Sequence, residues 1–250
     1  MLKKHIPNTI TCCNLVSGCI ATYWAFQSNY GLALLFIVIG AVFDFFDGMT
    51  ARLLHVSSPI GKELDSLADD ITFGFVPSAI IFGFLQSYMA AANTSLLTLH
   101  SLLPYLAFVM AAFSALRLAK FNLDERQALG FIGLPTPANA LFWGSLIVGL
   151  SSVCGQTTEH SVLPVDSDLM SCLPYILLFM MFVSCWLLVS EIPMFALKFK
   201  HWGWKENRIK YFFLITSALI LAFFGIIGIA VVIAWYVALS ILTHYLTNNK

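Results

Sequence analysis

The chain has 250 residues, 59% of them hydrophobic and only 10% charged, and its mean hydropathy is +0.85. That is far more apolar than a soluble domain of this length, so the sequence reads as an all-α integral membrane protein, a single domain over residues 1–250. Its 13 basic and 13 acidic residues cancel, which argues against nucleic acid as a partner and leaves membrane lipid.

Apolar runs long enough to cross hydrocarbon can be drawn about eight times. The basic start, Met1 to His5, lacks a small-residue cleavage site and reads as retained ahead of a first span over Pro7–Phe26. That span opens with Asn8, Thr11 and Asn14, too polar for a lipid-facing surface, so this face is expected to turn into the bundle and line a polar pocket.

The second span, Leu32–Leu54, and the third, Glu63–Tyr88, hold Asp44, Asp47, Asp65 and Asp69. A charge at the centre of a membrane helix costs roughly 2.5–3.5 kcal/mol on insertion scales, so four unpaired acids would cost about 10 kcal/mol. Something must neutralise them. A spacing of three puts Asp44 and Asp47 on one helix face, and a spacing of four does the same for Asp65 and Asp69. Ser57-Ser58-Pro59-Ile60 breaks the chain between them, with Ser58 as N-cap and Pro59 as first helical residue. An antiparallel hairpin then joins the pairs, and four hard oxygen donors suit Mg²⁺ or Mn²⁺, ions used about 4 Å apart in phosphoryl displacement.

The neighbours fit the same picture. Gly48 and Ala51 leave a groove where a ligand approaches the helix backbone. Arg52 offers a cation to a phosphate oxygen, and Gly61 lies near the start of the next helix, whose N–H groups and dipole favour an anion. Asp70 sits about 100° further round and points off the acid face. Pro77 predicts a kink.

A fourth span over Leu99–Leu118 ends at Arg117 and Lys120, positive groups expected close to the acids, and residues 123–134 lead into a fifth span. An outer loop, Ser151–Ser171, carries Glu159, Asp166 and Asp168; Cys154 and Cys172 flank it and would pair on an oxidising side. The six histidines have no ligand spacing and read as non-catalytic. The sixth span, Leu173–Leu197, encloses Glu191, and a basic loop Lys198–Lys210 with Trp202 and Trp204 suits the headgroup level. The last apolar stretch, Tyr211–Leu246, is too long for one span and splits at Gly225–Gly228; a single tilted helix would leave seven spans. With eight, all 13 basic residues fall on one side, so the positive-inside rule places both termini and the acids at the cytoplasmic face.

The arrangement D-x2-D-G-x2-A-R-x8-G-x3-D-x3-D over residues 44–69 resembles, position for position, the signature of the CDP-alcohol phosphatidyltransferases. The run from Ala115 to Asn122, followed by Gly133-Leu134-Pro135-Thr136-Pro137-Ala138, is similar to the branch of that family that uses serine. The resemblance implies transfer of the phosphatidyl group from CDP-diacylglycerol to the hydroxyl of L-serine, with release of CMP. It implies a divalent metal on Asp44, Asp47, Asp65 and Asp69, with Asp69 also the general base, and Asn8, Thr11, Gly48, Ala51, Arg52 and Gly61 around the nucleotide and phosphates. Asn14, Arg117 and Lys120 are then the acceptor contacts, since the serine carboxylate calls for a bidentate cation. The family is commonly homodimeric, and a bacterial inner membrane is the expected location. Another acceptor alcohol, glycerol 3-phosphate or inositol phosphate, stays open, although such phosphates would call for a richer cationic cluster. A divalent-cation or proton-coupled transporter is the rival class, but it leaves Gly48, Ala51, Arg52 and Gly61 unexplained.

Overall fold

The computed structural model describes residues 5–56, 58–91, 99–123, 131–156, 167–194, 203 and 207–248. Lys3 and Lys4, the link 92–98, Arg126, the outer-loop acids Glu159 and Asp166, and Trp202 and Trp204 lie outside the described residues.

The first helix, α1 (His5–Phe26), ends in a short turn. Asn29 then caps α2 (Tyr30–Leu53) by accepting the Leu32 N–H at 3.2 Å. After a turn in which His55 takes φ +50°, Ser58 caps α3 (Pro59–Asp69) through the Gly61 N–H at 3.0 Å, with Pro59 in the first turn. The Ser58-Pro59 reading of the break is borne out.

The expected third span runs on without a stop from α3 through a π-helical turn (Asp70–Phe75) into α4 (Val76–Ala91). Pro77 explains the interruption: it cannot donate to the Phe73 carbonyl, its ring crowds that carbonyl, and the widened turn absorbs both. Thr72, in this turn, is pinched between α1 and α2. A Cβ on Gly18 would lie 2.5 Å from its Oγ1, and one on Gly40 would lie 2.6 Å from its Cγ2. The α3–α4 path is the most deeply buried of the spans. Phe73, Ile80, Ile81 and Leu85 build the core with Trp143, Ile147 and Met181.

A 3₁₀ stretch (Leu99–Phe108) around Pro104 leads into α5 (Val109–Leu123), which extends five residues beyond the expected end at Leu118. Next come β1 (Phe131–Ile132), α6 (Thr136–Gln156), α7 (Ser167–Val189) and β2 (Pro193–Met194). Trp143 on α6 donates its indole N–H to Ser184 on α7 at 3.2 Å; Ser184 donates to Asn139, whose amide reaches Met110 Sδ on α5 at 3.3 Å.

The sixth span was expected to run to Leu197 and enclose Glu191, and this is corrected: α7 stops at Val189 and Glu191 is exposed beyond it. Pro193 disfavours helix in the residue before it, and β2 pairs antiparallel with β1 instead. The Leu134 N–H donates to the Leu187 carbonyl at 3.0 Å, covering an end-of-helix acceptor. Gly133, at φ +73°, permits this: a Cβ there would lie 2.9 Å from the Leu188 and Ser190 carbonyls. The Cys154–Cys172 pairing is also not found: Cys154 packs against the apolar core while Cys172 is exposed.

The C-terminal stretch does split. A tight turn at Gly225 (φ +57°) joins α8 (Arg208–Phe224) to α9 (Ile227–Asn248) as an antiparallel hairpin, with Trp235 donating to Thr216 at 3.1 Å. Among the described residues, seven helices are long and apolar enough to cross a membrane; α8, with 17 residues, reaches about 25 Å. Apart from the two-residue pairing, the described fold is an all-α polytopic bundle.

Candidate active site

The last turns of α2 bring Asp44, Asp47, Gly48, Ala51 and Arg52 to the same end of the bundle as Gly61, Asp65 and Asp69 of α3. The first half of α1 closes this hairpin. Thr11 donates to Asp47 Oδ2 at 2.6 Å, and Asn14 donates through Nδ2 to Asp69 Oδ1 at 3.0 Å. Asn14 is itself fixed: it is fully buried, and its carbonyl accepts the Thr72 hydroxyl at 3.1 Å. The Thr72 wedge therefore sets where Asp69 stands.

One carboxylate oxygen from each of Asp44, Asp47 and Asp65 lies within 4.8 Å of the others. Asp47 is buried, and Asp65 Oδ1 is buried without a hydrogen-bond partner. Such an orphaned oxygen, beside two further hard donors on facing helices, is what a divalent cation would satisfy. The residues fit a metal. Asp69 stands beside this trio, within electrostatic reach of all three acids, but outside the close set. Asp70 turns towards α5, with its Oδ1 near Gly74 and Ser114.

A cavity of about 200 Å³ opens over Asp47 and Asp65, two of the trio, and is lined as well by Asn8, Thr11, Gly48, Ala51, Gly61 and Lys62 among others. A Cβ on Gly48 would meet nothing within 4 Å, so the helix backbone is open to a ligand there. Gly61 serves differently: a Cβ would lie 3.0 Å from both Asn8 Oδ1 and Ser58 Oγ, so its bareness lets α1 approach the start of α3. Its own N–H is taken by the Ser58 cap.

The cations fall in unequal places. Arg52 is exposed at the end of α2 and is not among the residues lining the cavity. Lys62, which the sequence reading did not count as a site residue, lines it, and its Nζ donates to the Asn122 carbonyl at 2.9 Å. That bond, with Asn122 Nδ2 to Ser66 at 2.7 Å, ties the end of α5 to α3. Arg117 is buried within electrostatic reach of Asp69, its guanidinium 6.0 Å from the Phe121 ring centre, whereas Lys120 is exposed. The signal for Lys62 was its position directly after Gly61 at the helix start.

Comparison with known proteins agrees with this geometry. The profile of the CDP-alcohol phosphatidyltransferase family matches residues 4–183. A Bacillus subtilis protein described as CDP-diacylglycerol–serine O-phosphatidyltransferase is 39% identical over 148 residues, 59% of this chain and 76% of the relative. A Methanocaldococcus jannaschii protein of the same description is 30% identical over 200 residues, 77% of this chain and 87% of the relative. One from Saccharomyces cerevisiae is 32% identical over 167 residues, 60% of this chain and 55% of the relative.

Proposed function

The chain belongs to the CDP-alcohol phosphatidyltransferase family, and from that premise we propose that it transfers the phosphatidyl group of CDP-diacylglycerol to the hydroxyl of L-serine. The observation that carries the chemistry is the gathering of the Asp44, Asp47 and Asp65 carboxylates within 4.8 Å, with Asp69 beside them. Serine as acceptor is supported by the description shared by the relatives and by a buried guanidinium near Asp69.

In this mechanism Asp69 is the general base. Asn14 holds Oδ1, leaving the second oxygen to take the serine proton as the serine oxygen bonds to the lipid-side phosphorus. The phosphorus–oxygen bond to CMP breaks in the same displacement. Asp44, Asp47, Asp65 and Asp69 would hold Mg²⁺ or Mn²⁺, which when bound supplies neutralising charge for the pyrophosphate and the departing CMP. Thr11 fixes the Asp47 carboxylate, and the open backbone at Gly48 and Ala51, with Asn8 and Lys62, receives the nucleotide and phosphates. Arg52 reaches for a phosphate from the exposed end of α2. The clustering of Arg52, Lys62, Arg117 and Lys120 at the helix ends around the acids favours a cytoplasmic site.

The test is CMP release by the protein in mild detergent with CDP-diacylglycerol and Mg²⁺ or Mn²⁺. Serine, glycerol 3-phosphate, inositol phosphate and no acceptor are compared. Serine-dependent release is expected; release with a phosphorylated alcohol alone would overturn the acceptor while keeping the acid chemistry.

A further inference from the structure

One cation at the acid end faces two ways. Lys62 lines the cavity over Asp47 and Asp65, yet its Nζ donates across to α5, to the Asn122 carbonyl at 2.9 Å. Asn122 stands next to the last residue of that helix, where carbonyls have no intrahelical donor and the helix dipole favours a cation. The same residue reaches back. Asn122 Nδ2 donates to Ser66 Oγ at 2.7 Å, and Ser66 Oγ donates to the Lys62 carbonyl at 3.2 Å. Three residues on two helices thus close a ring of hydrogen bonds beside Asp65.

Each bond in the ring defines the next. Ser66 directs its proton to the Lys62 carbonyl, so its lone pairs are what the Asn122 amide meets. That amide holds down a helix end of the kind that otherwise frays, and so keeps the Asn122 carbonyl within reach of Lys62. An ammonium has three N–H groups, and this bond uses one. Two remain for an anion in the cavity. A lysine that must find an anion from solvent gives up rotamer freedom in doing so, whereas one already tethered has given up part of it beforehand.

We infer that Asn122, together with Ser66, is a positioning residue that holds the Lys62 ammonium at the cavity for a phosphate of the nucleotide lipid. This rests on the reading that CDP-diacylglycerol binds over the acids, and extends it by naming the device that presets one of its cations. A tie that only docked α5 would act on the helix as a whole. One that aims Lys62 acts on the phosphate-bearing substrate and leaves the acceptor alone.

The experiment is steady-state CMP release by the full chain in detergent with Mg²⁺, varying CDP-diacylglycerol and serine in turn, alongside calorimetric titration with CDP. Wild type is compared with Lys62→Ala, Asn122→Ala, the double variant, Ser66→Ala and Ser66→Thr. Lys62→Ala should raise the CDP-diacylglycerol KM and the Kd of CDP about tenfold or more, as loss of a hydrogen bond to a charged group does. Asn122→Ala should raise both about three- to fivefold and leave the serine KM within about twofold. Added to Lys62→Ala it should change neither by more than about twofold, because it works through that ammonium. Ser66→Ala should repeat the Asn122→Ala effect and Ser66→Thr restore wild-type values, which carries the test if Asn122→Ala does not fold. Multiplying losses in the double variant, a rise confined to the serine KM, or unmoved CDP binding would overturn the positioning role. A folded wild type that neither binds CDP nor releases CMP overturns the reading of the cavity and this inference together.

Discussion

Two polar regions lie to either side of Asp69, and they differ in how far the chain pairs its own groups. On the α1–α2 side the chain makes hydrogen bonds of its own, Thr11 to Asp47 at 2.6 Å, Asn14 to Asp69 at 3.0 Å and the Gly61 N–H to Ser58 at 3.0 Å, and leaves Asn14 Oδ1 and Asp65 Oδ1 buried beside the acids without a partner. On the α5–α6 side Ser114 Oγ, Arg117 Nε and Thr136 Oγ1 are buried and unpaired. The first side fixes charges in advance, as stabilisation of a developing anion requires. The second leaves three buried polar atoms without a partner among the described residues.

Removing the metal should break the first side most completely. Chelation with EDTA is expected to abolish CMP release, and added Mg²⁺ or Mn²⁺ to restore it; activity that survives exhaustive chelation would refute the metal role of the acids. Asp69→Asn comes next, with an expected fall in kcat of about 10²–10⁴. A loss below about tenfold would show that Asp69 is not the base. Asn14→Ala removes the donor that orients Asp69 and should lower kcat by about 10–100-fold, more than it raises either KM. A loss from Asn14→Ala that falls on a KM instead of on kcat would show that Asn14 binds substrate and does not position Asp69. The smallest effect is structural: Ser58→Ala should destabilise the protein by about 1 kcal/mol through loss of the α3 cap, measured as a lower Tm.

Much of the first side was legible in the sequence because its signals are local. Spacings of three and four, a Ser-Pro helix start and a glycine beside an aspartate each have one physical reading. The second side was not, since it depends on which face of α5 turns inward. Arg117 and Lys120 look equivalent as letters, yet one is buried and the other exposed. Hydropathy gives no help, because lipid and protein core are both apolar. Phe45 and Phe46, next to the acids, are 62% and 43% exposed, while Phe73 is fully buried. The π-helical turn was half visible: Pro77 announced a disturbance, but its form depends on Thr72 fitting between Gly18 and Gly40. The stop of α7 at Val189 escaped notice because it depends on pairing with a distant segment.

The bond between Asn14 and Asp69 spans 55 residues, and it has a direction in time. At about 5–20 residues per second, a ribosome makes Asn14 roughly 3 to 11 seconds before Asp69. Thr11 likewise precedes Asp47. Asp47 and Asp69 thus each arrive after the donor that will receive them, and α1, made ahead of α2 and α3, acts as a mould for both.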